Sequence, residues 1–125
     1  MSSEQSRRMN LTQLTAAIHG NAKARGWHDE GPKTDRFPTL LCLVHAEVSE
    51  ALEDYREGHP IQTFWRTQKT LGAEGKPVGI PSELADIIIR VLDICGLYGI
   101  DIESAVRAKM AYNATRPHRH GGKVC

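Results

Sequence analysis

The stretch "PSELADIIIRVLDICGLYG", residues 81 to 99, constrains this chain more than any other. Pro81 suits the first turn of a helix, and the apolar pattern then runs unbroken from Leu84 to Tyr98. Ile87, Ile88, Ile89, Val91, Leu92 and Ile94 cover most sides of such a helix. It must therefore be buried at a bundle centre or across a subunit interface. "DIIIRV" has strand propensity, but the length of the pattern predicts helix. Acids are set into this segment: Glu83, Asp86 and, seven residues further along the same face, Asp93. An acid lodged among isoleucines needs a partner.

Three more helices are predicted, and no strand. Asn10 caps the first, Gln13 completes a capping box, and Leu11, Leu14, Ile18 and Ala22 mark its buried face until Gly26 closes it. The second follows Pro38, carries Leu40, Leu41, Val44, Val48, Ala51, Leu52 and Tyr55, and stops at Gly58. The fourth is capped by Asp101, carries Ile102, Ala105, Val106 and Met110, and ends before Pro117. Residues 58–80 form a long connection rich in Gly and Pro, with one short helix expected around "QTFWRTQ". The expected architecture is a single all-α domain over 1–125, a four-helix bundle, with flexible ends at 1–9 and 118–125.

A chain of 125 residues with net charge +1 and no long basic run offers no broad nucleic-acid surface. Its longest apolar stretches, such as "LLCLV", are too short to cross a bilayer, and the polar start lacks the apolar core of a secretory signal. Three cysteines, an odd number with no CxxC pair, argue against a disulfide framework and suit a reducing cytoplasm. Cys42 and Cys95 sit in apolar runs and are expected in the core. No membrane and no stable nucleic-acid partner are expected.

The second helix holds "HAEVSEALEDYR", with Glu47 and Glu50 three apart and so on one face. Glu83 and Asp86 repeat that spacing on the third. Acids at helical spacing ordinarily form a solvated face. If these two helices pack side by side, however, the pairs converge, and bound cations make such a cluster tolerable. Oxygen ligands suit Mg²⁺ or Mn²⁺, and the absence of a Glu-x-x-His pattern weakens an iron reading. Lys109, Asn113 and Arg116 share one face of the fourth helix, either as plain polar surface or as ligand contacts. Trp27 and Trp65 serve as core or as stacking residues, and Tyr112 stacks or packs. His45 is turned away from Glu47 and reads as a surface residue. "HRHGGK" is a frayed tail or a phosphate loop that includes Lys123.

"AEVSEALEDYREG" followed by "SELADIIIRVLDICGLYGIDIESAVRAKMAYNATRPHRHGGK" resembles the MazG-like all-α nucleoside triphosphate pyrophosphohydrolases. Those proteins carry an EExxE segment and an ExxD segment on antiparallel helices. The resemblance implies Mg²⁺-dependent hydrolysis of a nucleoside triphosphate to the monophosphate and pyrophosphate. It implies a homodimer or dimer of dimers that completes the bundle. It places Glu47, Glu50, Glu83 and Asp86 on metal and catalysis, and Lys109, Asn113 and Arg116 on the nucleotide. Ala46 departs from the family pattern at the first Glu of EExxE, and the connection from Glu50 to Glu83 is longer than usual. The alternative is a non-catalytic regulatory or adaptor dimer whose acids are structural.

Overall fold

Asn10 opens the first helix through a complete capping box: its side chain accepts from the Gln13 amide at 2.8 Å, and Gln13 accepts from the Asn10 amide at 3.0 Å. The computed structural model describes residues 8–29, 36–68 and 74–117. In chain order these form α1 (Leu11–Ala24), α2 (Arg36–Arg56), β1 (Trp65–Arg66), β2 (Pro77–Val78), α3 (Ile80–Tyr98) and α4 (Ile102–Thr115). The chain is all-α, with α3 packed between α1 and α2 and with α4 resting on α1.

Helix ends follow the local chemistry of the sequence. After α1, Gly26 adopts φ +83°, the Gly26 amide donates to the Lys23 carbonyl, and the Trp27 amide donates to the Ala22 carbonyl. That is a Schellman turn, which requires a left-handed residue that glycine supplies without strain. Gly58 and Gly99 close α2 and α3 in the same way. Asp101 caps α4 by accepting from the Ser104 amide and hydroxyl, contacts that also lower its pKa. Glu103 reaches back from α4 to the Leu11 amide at 3.0 Å, so α4 satisfies an orphan donor at the start of α1.

Two expectations fail in the long connection. No helix forms at "QTFWRTQ". Instead Trp65 and Arg66 pair antiparallel with Val78 and Pro77, tied further by Thr67 and Lys76. The ribbon leads through Gly79 directly into α3, where Pro81 stands in the first turn as expected. Gly79 lies so close to the Thr63 carbonyl that a Cβ there would fall 2.8 Å from it. The second helix also begins two residues before Pro38, which still falls in its first turn.

Burial is thin in this single chain. Ala22, Ile80, Leu92, Ile94 and Cys95 are buried, while Leu41, Val48, Leu52 and Tyr55 on α2, and Leu84 and Ile88 on α3, are exposed. Cys42 is exposed rather than in the core. No helix is long and apolar enough to cross a membrane among the described residues. The predicted flexible ends, 1–9 and 118–125, lie outside the described residues except for residues 8 and 9.

Candidate active site

The packing of α2 against α3 brings the two carboxylate pairs together. Oxygens of Glu47, Glu83 and Asp86 lie within 4.8 Å of one another, and Glu83 hydrogen-bonds to Glu50. Glu47 is buried, Glu83 and Asp86 are half-buried, and Glu50 stands at the open side. Desolvation, then the shared hydrogen bond with Glu50 and the charges of Glu50, Asp54 and Asp86, push Glu83 up to about 7. Asp86 is raised too, by burial and by Glu47, against the pull of Arg90 and Lys76. Carboxylates crowded this closely hold protons unless a cation takes the protons' place.

One cation of the chain already reaches in. Arg90 donates from Nε to Glu47 Oε1 at 2.7 Å, while Glu47 Oε2 is buried with no hydrogen-bond partner among the described residues. A buried carboxylate with one orphaned oxygen, in a group with two further acids, fits a divalent, oxygen-preferring ion. Glu47, Glu83 and Asp86 are placed to hold such an ion, with Glu50 beside them.

A second polar group lies one turn beyond Arg90. Asp93, buried in α3, accepts from His19 Nδ1 at 2.8 Å and from His28 Nε2 at 2.7 Å. The sequence demanded a partner for this acid, and two imidazoles from α1 and its closing turn supply it. Gly96 makes room for His19, since a Cβ on it would fall 2.5 Å from the His19 Cβ. Trp27, His28, Arg36, Leu40, Leu43, Arg90, Asp93 and Ile94 enclose a half-open cleft of about 150 Å³. Arg36 fixes the turn by donating to the Trp27 carbonyl at 2.8 Å, and the Arg90 guanidinium sits 5.9 Å over the indole. Arg90 thus joins the cleft to the carboxylates.

Over 89 residues, covering 64% of this chain and 79% of the relative, the sequence is 47% identical to the dATP/dGTP diphosphohydrolase of Cyanophage S-2L. The chain belongs to that enzyme's family. No family model and no solved structure matches it.

In this diphosphohydrolase relative, the other residues singled out from sequence fall in different places. Trp27 is half-exposed at the cleft, whereas Trp65 pairs in the ribbon beside His59. Lys109, Asn113 and Arg116 are exposed on α4, and no hydrogen bond or ion pair joins them to the carboxylates among the described residues. Lys109 and Arg116 instead flank the Tyr112 ring, at 5.7 and 5.9 Å. Lys123 lies outside the described residues. His45 is exposed, as its position on the helix predicted. Sequence reasoning missed Arg90, His19 and His28. Arg90 carried a signal, as a lone cation four residues after Asp86 in an apolar run; the histidines carried none, because their partner is far away in sequence.

Proposed function

We propose that this protein hydrolyses a purine deoxynucleoside triphosphate to the monophosphate and pyrophosphate, with Mg²⁺ held by Glu47, Glu50, Glu83 and Asp86. The observation that carries the reading is the convergence of Glu47, Glu83 and Asp86, with one buried oxygen of Glu47 unpartnered, in a chain 47% identical over 89 residues to a dATP/dGTP diphosphohydrolase. The MazG-like resemblance of the acid motifs and the purine substrates named for the relative support it. Mn²⁺ is an acceptable substitute by the same ligand chemistry.

The reaction joins a water oxygen to the α-phosphorus and breaks the bond from that phosphorus to the oxygen bridging to the β-phosphate. Pyrophosphate departs and the water's proton is lost to a base. Bound Mg²⁺ supplies charge neutralisation of the polyphosphate and lowers the pKa of a bound water. The chain's own groups do the rest. The four acids would hold the ion that receives the phosphates, near the N-terminal end of α3, where the helix dipole favours negative charge. Arg90 stands between the acids and the cleft, where it can meet a phosphate. Glu83, Asp86, Arg90 and Asp93 recur along one face of α3, so phosphates at one end leave the base at Trp27. Lys109, Asn113 and Arg116 are exposed on the chain and would meet the nucleotide from a second copy in a homodimer or dimer of dimers.

A panel of canonical and modified triphosphates, assayed for pyrophosphate with Mg²⁺ and with EDTA, tests the reading. Release from dATP or dGTP that EDTA abolishes is expected. No release from any triphosphate would leave the adaptor alternative standing.

A further inference from the structure

The floor of the Trp27 cleft is built almost wholly of hydrogen-bond acceptors. Asp93 is acceptor-only when ionised, and it takes N–H groups from His19 Nδ1 and His28 Nε2. In the tautomer that carries its proton on Nε2, His28 keeps a lone pair on Nδ1. That nitrogen is buried and has no hydrogen-bond partner among the described residues, and the His28 side chain is only 4% exposed. His19 holds the carboxylate from the other side and Gly96 lets it approach, so the arrangement is braced from α1 as well as from α3. The walls are the indole of Trp27, the apolar Leu40, Leu43 and Ile94, and the side chains of Arg36 and Arg90. A flat heterocycle suits such a cleft, with one edge turned to the acceptors of Asp93 and His28.

We infer that Asp93 and His28 select the base, by accepting a hydrogen bond from an exocyclic amino group. This rests on the diphosphohydrolase reading and deepens it. A base that offers a carbonyl or a bare C–H at that edge leaves the buried acceptors unpaired, which costs far more than a mispaired contact in water. Asp93 reads directly, and His19 is a positioning residue that fixes the Asp93 carboxylate. The indole supplies stacking without discrimination, since every base has a π-face.

The test compares pairs of substrates that differ by one amino group: dATP against the deoxynucleoside triphosphate of unsubstituted purine, and dGTP against dITP. The panel also includes dCTP and dUTP. For the wild-type enzyme with Mg²⁺, kcat/KM in at least one pair is expected to favour the amino form by about tenfold or more, carried mainly by KM. Asp93→Asn, which replaces acceptors with a mixed amide, is expected to bring that ratio near one by weakening the amino form. If Asp93→Asn does not fold, as judged by its circular dichroism and melting, His28→Asn is measured and read in the same way. Ratios near one in both wild-type pairs, or a preserved ratio in the folded variant, would overturn the inference while leaving the hydrolase intact. Absence of hydrolysis on the whole panel is the separate failure of the proposed function.

Discussion

At the scale of single residues, the acids were legible and their neighbours were not. Glu47, Glu50, Glu83 and Asp86 announced themselves by a repeated three-residue spacing on two helices, and the packing of α2 on α3 brings Glu47, Glu83 and Asp86 together. Glu50→Gln and Asp86→Asn are each expected to lower pyrophosphate release by about a hundredfold or more, since changes even one shell out from a metal cost 10–100-fold. A steady-state assay at fixed Mg²⁺ reads this, and unaltered activity in either variant would remove that residue from the site. The elevated Glu83 carboxyl gives a pH dependence with a definite sign. Its folded value of about 7 exceeds its ordinary 4.5, so its contribution favours the metal-free fold at low pH and fades as pH rises through that interval. A cation competes with that proton, so Mg²⁺ is expected to bind more tightly at about pH 8 than at about pH 6 and to release protons on binding. Calorimetry in buffers of different ionisation enthalpy measures both. Arg90, His19 and His28 stayed hidden because their partners are set by how α1 and α2 lie on α3, which no local spacing encodes.

At the scale of elements, the helix ends were the most readable feature and the ribbon the least. Asn10, Gly26, Gly58 and Asp101 act through their own backbone neighbours, so each boundary could be read from a few residues. A ribbon with two residues in each strand has no period to detect, and its pairing comes from chain that returns ten or more residues later. The Schellman turn at Gly26 carries function as well as form, because it sets Trp27 and His28 at the cleft. Gly26→Ala forces a side chain into left-handed backbone and is expected to cost about 1–2 kcal/mol of stability. Thermal unfolding measures that cost. The same variant should raise KM for the nucleotide more than it lowers kcat, because it moves the cleft wall and not the carboxylates.

At the scale of the whole molecule, one chain leaves too much apolar surface in water. Leu52 is 54% exposed, Val48 50% and Ile88 53%, and these belong to the helices that carry the acids. The apolar third helix was expected to sit at a bundle centre or across an interface, and within one chain only Ile80 and the turn 92–95 are well buried. A homo-oligomer that covers α2 and the outer side of α3 resolves this, and such surfaces on soluble chains mark interaction sites. Sedimentation equilibrium is expected to give a dimer or tetramer, with Val48→Glu shifting it toward monomer. Melting temperature should then rise with protein concentration. Arg90 binds the two ends of the site into one unit, with its guanidinium paired to Glu47 and lying over Trp27. A cation arriving at Glu47 competes for the carboxylate that anchors this guanidinium, and the indole beneath feels the change. The protein therefore carries its own optical gauge of ion loading: in a Trp65→Phe background, the emission of Trp27 should change as Mg²⁺ is titrated in, before any nucleotide is added.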